Sequence, residues 1–458
     1  MPVSQPAAAS AASTGLQTRD RLAVVATMMA VALVTLDATL INTALPAIAA
    51  DLQAAPAQTI WVVNAYQLAV AGFLLPFAAL GDRLGARTVH LAGLLFYMLA
   101  TLGCLLADSL PALAAARALQ GIGGAALMSV NIALVRQIYP PQHLGRGVGL
   151  NAMVVGVSFA AGPTLASLVL SVAPWHWLFA VSLPVAALAL AVAWPTLPRA
   201  SRPGQALLDP VTALCATVCF AGLVGALSAA AQRQPLVVVG PVLALALAAG
   251  ALLLHRQAGH PAPMLPVDLL RRPMFALSIA TAVCSFCAQG LAFVSLPFFF
   301  ETVLHRDPVQ TGFLMAPWAI VVAAAAPLAG RLSDTQAPGL MGGIGLAILC
   351  GGMVAMATLP GDATVLRIVL SMALCGLGFG LFQSPNLKAI MSAAPPDRSG
   401  GASGMVAMAR LNGQALGAAL VALCFGIAGT QGPVLALELG AGFAVLGALC
   451  SAARLWVR

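Results

Sequence analysis

Residues 22–46 read LAVVATMMAVALVTLDATLINTALP, a long apolar run that holds one charged side chain, Asp37. A helix that spans a bilayer needs about 20 largely apolar residues, so this stretch is long enough to cross one. Lipid offers no partner to an unpaired backbone group, so only helices and closed barrels span it. The run is continuous rather than alternating, and it therefore predicts a transmembrane helix.

The rest of the chain repeats this pattern. Hydrophobic residues make up 61% of the 458 positions and charged residues 7%, too little polar surface for a soluble domain. The sequence predicts an all-α membrane protein with fourteen spanning helices. The predicted spans are 22–46, 60–80, 88–106, 112–136, 146–170, 177–195, 209–230, 235–255, 275–300, 310–330, 339–359, 364–388, 402–427 and 433–453.

The positive charges predict the orientation of these helices. With a cytoplasmic N-terminus, nearly all loop arginines fall inside, and only Arg233 and Arg306 fall outside. If one helix had been missed or added, the inside and outside loops would exchange after it and the excess of arginines inside would be lost. The pattern therefore favours an even number of helices with both termini cytoplasmic. The net charge of +8 is spread over the loops and does not indicate a nucleic-acid partner. We expect a multi-pass protein of a bacterial inner membrane.

An internal repeat divides the chain. Residues match at an offset of about 255 in the later helices of each half, and Asp82 matches Asp334 at a slightly smaller offset. The matched pairs are Gly121 and Gly376, Gly123 and Gly378, Asn131 and Asn386, Pro140-Pro141 and Pro395-Pro396, and Gly162 and Gly417. Parallel repeats of six helices imply two halves with a substrate path between them. The predicted parts are a disordered cytoplasmic segment 1–18, bundles 19–200 and 263–458, and a linker with a transmembrane hairpin, 201–262.

Two charges, Asp37 and Arg117, lie well inside predicted helices of the first half. Asp37 is about 14 Å and Arg117 about 9 Å from the outer helix ends at 1.5 Å per residue, so the two side chains could meet. An ionisable group at such depth marks a functional site by default, and a carboxyl group between burial and a cation can bind and release a proton. The alternatives are an aspartate that only bonds a neighbouring helix and an arginine that extends to the headgroups.

Other polar and aromatic residues are candidates for a substrate cavity, although such residues are also common at membrane interfaces without that role. They are Asn42, Trp61, Asn64, Tyr66, Gln120, Trp318, Gln383, Arg410 and Asn412. The nine cysteines lie in apolar runs, and the Cys284-x-x-Cys287 pair has no second pair or histidine nearby to complete a metal site. We expect no cofactor and no metal.

Four motifs resemble those of the major facilitator superfamily. Residues 81–87 (GDRLGAR) are similar to its signature loop, and Arg117–Gly124 to the arginine motif of its fourth helix. Residues Gly156–Pro163 resemble its antiporter motif, and Asp37–Pro46 the first-helix motif of its fourteen-helix drug–proton antiporter branch. The motifs occur in the family's order and on the corresponding predicted helices.

This resemblance implies a fold and roles for particular residues. The fold would be two six-helix bundles around a central two-helix hairpin. Asp82, Arg83, Gly85, Arg87 and Asp334 would form a gate that holds the halves together on the cytoplasmic side, although a positive-inside loop alone would explain the arginines. Gly156, Gly162 and Pro163 would belong to the antiporter motif, with simple close packing as the alternative.

The sequence also departs from the family pattern. Ala78 replaces the usual first glycine of the loop, and Ala166-Ser167 replace two glycines at the end of the antiporter motif. Some multidrug members carry carboxylates in the tenth and thirteenth helices, which attract cationic drugs. Here the tenth predicted helix has none, and the thirteenth holds Arg410. The departures argue against broad recognition of cations.

The resemblance implies a function, and two alternatives stay open. The leading expectation is a monomeric secondary transporter that takes in protons and exports small amphipathic compounds or drugs. One alternative is a transporter of a specific metabolite or organic anion; the other, of a different class, is a non-transporting receptor or scaffold. The chain has no Walker loop and no catalytic constellation, so we expect neither ATP hydrolysis nor enzyme activity.

Overall fold

The computed structural model describes residues 18–140, 144–199, 210–231, 234–257, 267–333, 335–394 and 399–456. All regular structure in these ranges is helical. The α-helices are α1 (Thr18–Asp51), α2 (Pro56–Thr59), α3 (Trp61–Leu84), α4 (Ala86–Leu105), α5 (Leu110–Ile138), α6 (Leu144–Leu170), α7 (His176–Thr196), α8 (Pro210–Ala231), α9 (Leu236–Gln257), α10 (Pro273–Phe298), α11 (Pro308–Leu332), α12 (Pro338–Ala357), α13 (Val365–Ala393), α14 (Ser399–Ala428) and α15 (Gly432–Ala453).

The predicted count of fourteen membrane spans is not supported. Twelve stretches of the described chain are long and apolar enough to cross a membrane. The difference arises at two places. The stretch Gly404–Ala453 counts once but holds most of α14, a 3₁₀ turn and α15. Within α8, only the shorter apolar stretch Leu214–Leu223 is found among the described residues, and it is not counted as a span.

Local sequence chemistry sets several helix ends. The gate loop, residues 81–87, turns at Gly85, whose φ of 90° lies in the region that glycine adopts without strain. Prolines stand at the first position of α10, α11 and α12, where their missing N–H costs no helical hydrogen bond. Asp307 caps α11 by accepting a hydrogen bond from the Gln310 backbone N–H at 2.8 Å. Residues 1–17 lie outside the described residues, and α1 begins at Thr18, inside the segment 1–18 predicted to be disordered.

Glycines of the internal repeat occupy equivalent places in the two halves. A Cβ atom on Gly121 would meet the backbone carbonyl of Tyr66, and one on Gly376 would meet that of Trp318. Gly162 packs against the Thr39 side chain of α1, and Gly417 packs against the Cys287 carbonyl of α10. The helices of α1–α7 and of α10–α15 also pair in the same order, α3 with α5 as α11 with α13. Small residues allow this close approach of helix backbones.

The two sets of helices meet along a seam, the contact surface between α1–α7 and α10–α15. We call the side of the molecule with the end of α1 and the start of α15 the distal side, and the other the terminal side. On the distal side, one apolar cluster joins both sets, with Ile48 and Val63 from the first and Leu291 and Val294 from the second. A second cluster joins Leu33 of the first set to Met408 of α14, whereas Leu134 and Phe275, nearer the terminal side, belong to different clusters. The seam is therefore closed distally.

Helices α8 and α9 pack on each other beside this seam. Thr217 of α8 donates a hydrogen bond to the Gly72 carbonyl of α3 at 2.8 Å, and α8 also contacts α14. Much of α9 is exposed, including Leu236 and Leu245. The hairpin thus lies against one helix of each set.

Candidate functional site

Asp37 and Arg117 form a buried ion pair. Arg117 Nη1 donates to Asp37 Oδ2 at 2.5 Å, and the two side chains are 1% and 2% exposed, Arg117 and Asp37 respectively. Gln120 completes the group, because its Nε2 donates to Asp37 Oδ1 at 3.2 Å and its Oε1 accepts from Arg117 at 2.5 Å. The structure thus brings together Asp37 and Arg117, which the sequence placed at similar depths on two helices, and Gln120, which it placed among the cavity candidates.

The surroundings hold Arg117 in place. Its Nε donates to the Val62 carbonyl at 3.1 Å, and its guanidinium carbon lies 4.3 Å from the centre of the Tyr66 ring. A cation above an aromatic face is attracted to it, so Tyr66 adds a favourable contact. Gly124 leaves room for the ring, since a Cβ atom there would meet the Tyr66 hydroxyl oxygen at 2.7 Å. That hydroxyl has no hydrogen-bond partner among the described residues.

The electrostatics of this group depend on both partners. A buried charge without a partner is strongly destabilising, whereas a hydrogen-bonded pair is close to neutral overall. Both Asp37 oxygens accept a hydrogen bond, and Thr101 accepts a further bond from Gln120 Nε2 at 2.8 Å. A proton on Asp37 would remove the negative charge that compensates Arg117 and would change the net charge of the whole group.

The predicted cavity residues of the second set are more dispersed. Trp318 is 1% exposed and its Nε1 has no partner among the described residues, and the same holds for Oδ1 of half-buried Asn412. Arg410 and Gln383 are half-buried. In the first set, Trp61 and Asn42 are half-buried and Asn64 is buried. Trp61, Asn42, Trp318, Gln383, Arg410 and Asn412 do not share hydrogen bonds with the Asp37 group in the described structure.

The gate loop is only partly described. The Asp82 side chain and the whole of Asp334 lie outside the described residues. Arg83 is exposed, and Arg87 Nη2 donates to the Trp194 carbonyl of α7 at 2.6 Å. In this conformation, Arg87 therefore ties the loop to its own set of helices rather than across the seam.

The antiporter motif on α6 separates into two environments. Gly162 and Pro163 are buried, and Gly162 packs directly on Thr39 of α1. Gly156 is exposed, and a Cβ atom there would meet nothing within 4 Å. Further along α6, Ser167 donates to the Pro308 carbonyl of α11 at 2.9 Å. The buried part of the motif thus joins α1 to the distal seam.

Sequence reasoning missed a second buried arginine. Arg454 was placed in a cytoplasmic terminal segment, but it is 3% exposed, and its Nη1 donates to Asn386 Oδ1 at 2.7 Å and to Ser278 Oγ at 3.1 Å. Burial lowers the pKa of its guanidinium to about 10, so it stays charged at neutral pH. The sequence feature that could have pointed to this site is Asn386, which the internal repeat pairs with Asn131. His90 was also missed; it is 1% exposed, and neither ring nitrogen has a partner among the described residues.

The described residues offer no group of three or more His, Cys, Asp or Glu side chains that could hold a metal ion. The nine cysteines are free thiols.

Comparisons with known proteins agree with this architecture. The profile of the Major Facilitator Superfamily matches residues 27–418. The chain is 47% identical over 434 residues to the uncharacterized transporter YebQ of Escherichia coli (strain K12), covering 94% of this chain and 95% of that protein. It is 26% identical to the riboflavin transporter RibZ of Clostridioides difficile (strain 630), covering 85% of each chain. It is 29% identical to the tetracenomycin C resistance and export protein of Streptomyces glaucescens, covering 89% of this chain and 76% of that protein.

Solved structures show the same fold. A bacterial homolog of the human lysosomal transporter Spinster aligns with a TM-score of 0.66 at 16% identity, over 96% of this chain and 99% of that chain. A POT family transporter aligns with a TM-score of 0.70 at 14% identity, over 93% of this chain and 94% of that chain.

Proposed function

The chain belongs to the major facilitator superfamily, and we propose that it is a secondary active transporter that exports small amphipathic compounds in exchange for protons. The observation that carries this proposal is the buried Asp37–Arg117 pair with Gln120. A membrane-embedded carboxylate whose partners hold it in a hydrogen-bonded group can change its protonation and its contacts together.

Physical contacts link this group to the seam. Asp37 lies on α1, and Thr43 on the same helix contacts Met315 Sδ of α11 at 3.9 Å across the seam. Thr39, between them, packs on Gly162 of α6, and α6 reaches α11 through Ser167 and Pro308. Protonation of Asp37 would weaken its tie to α5 and allow α1 and α6 to shift against α11. This shift would open the distal seam.

The orientation and the number of spans complete the proposal. The terminal side faces the cytoplasm, as the distribution of arginines predicts, and all fourteen long helices cross the membrane. The helices within residues 19–200 and those within residues 263–458 move as two bundles about the hairpin. The gate loop, with Asp82 and Asp334, closes the cytoplasmic side when the distal side opens, because a charged network can break and re-form without exposing apolar surface.

The names of relatives guide the substrate class. One relative is named for resistance to and export of tetracenomycin C, which favours export of drugs as the first candidate. Another is named a riboflavin transporter, which supports transport of one specific metabolite as the second candidate. Accumulation of both compounds in proteoliposomes separates these candidates, since a specific transporter would move only one.

The experiment that tests proton coupling is transport in proteoliposomes under an imposed proton gradient. Asp37→Asn keeps the shape but cannot exchange a proton, so gradient-driven transport should fall to background while the protein still inserts. Asp37→Glu should retain part of the rate with a shifted pH optimum. Glu438→Gln, which changes an exposed carboxyl group on α15, is the matched control and should transport as the wild type does. Wild-type transport and pH dependence in Asp37→Asn would refute the proposal.

A further inference from the structure

Arg410 of α14 is a charged side chain without a counterion among the described residues. It is half-buried, it is located about 16 Å from the first residue of α14 at 1.5 Å per residue, and it makes no hydrogen bond or ion pair with any described residue. An unpaired guanidinium at membrane depth is costly, and such groups in membrane proteins usually face the interior and bind a partner.

Neighbours on α14 show which way Arg410 faces. Gln414 is one helical turn further on, so it shares a helix face with Arg410. Its Nε2 donates to Gln289 Oε1 of α10 at 3.0 Å. At the repeat offset of 255, Gln414 corresponds to Phe159 of α6, whose ring centre lies 4.8 Å from that of Phe293 on α10, across the seam. The shared face of Arg410 and Gln414 is thus directed to α10, the helix that contacts α1 across the seam.

The charges around the seam do not balance. Asp37 and Arg117 neutralise each other in their ion pair. Helices α11 and α14 carry no acidic residue. The other charged side chains within these two helices and α10, α12, α13 and α15 are exposed; they are Arg331, Arg367, Lys388 and Glu438. Outside them, Glu301 in the turn after α10 is half-buried and Arg454 after α15 is buried. No described acidic side chain pairs with Arg410, which therefore keeps an uncompensated positive charge.

An aromatic cluster lies one helical turn beyond Gln289, at Phe293 of α10. Phe159 contacts Phe293, and Phe293 in turn meets Trp318 edge to face with ring centres 5.1 Å apart. Phe159 belongs to the first set of helices and the other two to the second, so the cluster crosses the seam. Trp318 Nε1 is a buried donor without a partner among the described residues. An aromatic or apolar ligand body could pack on such a cluster.

We infer that Arg410 binds the anionic group of the transported compound, a carboxylate, sulfonate or phosphate, while the apolar body of that compound packs toward Phe159 and Phe293. This inference rests on the proposed transport function and names the charge class of its substrate. A guanidinium suits such a group because it donates two parallel hydrogen bonds to a pair of anionic oxygens.

The test compares one ring system with three charges. Purified protein in nanodiscs of phosphatidylcholine is titrated with radiolabelled 1-naphthoate, 1-naphthalenemethanol and 1-naphthylmethylammonium. We expect the wild type to bind naphthoate most tightly. Arg410→Gln should lose at least about tenfold in naphthoate affinity and leave that for the neutral alcohol unchanged. Arg410→Lys should keep part of the affinity. Arg367→Gln, which removes an exposed charge from α13, is the control and should bind as the wild type does.

Several outcomes would overturn the inference. They are absent naphthoate binding in the wild type, equal naphthoate affinity in Arg410→Gln and the wild type, and tighter binding of the ammonium compound. Nanodiscs that contain phosphatidylglycerol test a lipid headgroup as the anion. A fall in naphthoate affinity there, in the wild type but not in Arg410→Gln, would assign the site to lipid instead.

A flux assay separates this inference from the proposed function. Proton-driven transport of the neutral alcohol at wild-type rate by Arg410→Gln, with loss of naphthoate transport only, is the expected result. Equal transport of both compounds by Arg410→Gln would reject the charge class but keep proton-coupled transport. Failure of Asp37→Asn to alter any transport would reject the proposed function and leave the naphthoate binding result standing.

Discussion

The ion pair of Asp37 and Arg117 is a buried contact in which each charge depends on the other. Both side chains are at most 2% exposed, and Gln120 bonds to both. Removing one partner of a buried pair leaves an uncompensated charge and costs about 3–5 kcal/mol, whereas replacing both partners by apolar groups is often close to neutral. The group is therefore more sensitive to single than to double substitution.

A double-mutant cycle tests this dependence. We expect Arg117→Leu to lower the stability of the purified protein by about 3–5 kcal/mol, and the double variant Asp37→Leu/Arg117→Leu to lose clearly less. Thermal unfolding in detergent, followed by circular dichroism, measures both. Arg367→Leu, at an exposed position, should have little effect. Losses that add in the double variant would mean that the two side chains are not coupled.

Individual residues differed in how far the sequence could predict them. Asp37 and Arg117 could be found because a rare charge inside an apolar run stands out, and helix depth places both at similar levels. Arg454 could not, because it follows the last apolar run and only tertiary packing buries it against Ser278 and Asn386. The unbalanced charge of Arg410 likewise became visible only when its neighbours were known.

At the level of helices, α6 connects the Asp37 group with the distal seam. Gly312 of α11 lies so close to α6 that a Cβ atom there would overlap Ser167 Oγ and the Pro163 carbonyl oxygen. The sequence predicted the motif on α6 but not its contact with α11. A single sequence does not specify which distant helix packs against a given helix. The sequence also does not show which glycines of the motif are buried and which are exposed.

Substitution of Gly312 should therefore affect the distal closure. In Gly312→Ala the new methyl group meets backbone as well as side chain, so α6 and α11 must separate, and the distal seam should open more often. Labelling rates of a single cysteine placed at Ile48, buried in the distal cluster, should rise severalfold. Gly156→Ala on α6 is the control, because a Cβ atom there meets nothing. Unchanged labelling in Gly312→Ala would show that this contact does not hold the seam closed.

The whole molecule consists of two similarly packed sets of helices with a hairpin beside their seam. The sequence predicted the repeat correctly, since Gly121 and Gly376 hold equivalent positions. Its count of fourteen spans is not supported, because twelve stretches of the described chain meet the length and hydropathy of a span. Apolar runs show which segments prefer lipid but do not show whether each helix, such as α8, crosses it completely.

Reporter fusions test the proposed orientation. A reporter after the last residue should be cytoplasmic, and one inserted near Gln58, on the distal side, periplasmic. A third, inserted at Gln234 between α8 and α9, should also be periplasmic if the hairpin spans the membrane. A cytoplasmic signal at Gln234 would restrict the protein to twelve spans, and a periplasmic C-terminus would exclude the even count.

The most direct measurement of the central claim is the release of protons when a transported compound binds. Purified protein in weakly buffered detergent solution, with a pH indicator, is mixed with a compound that the proteoliposome assay shows to be transported. If Asp37 exchanges its proton for substrate, the wild type should acidify the solution in proportion to bound compound, and Asp37→Asn should release no proton although it still binds. Equal proton release from Asp37→Asn and the wild type, or binding without proton release in the wild type, would contradict the account.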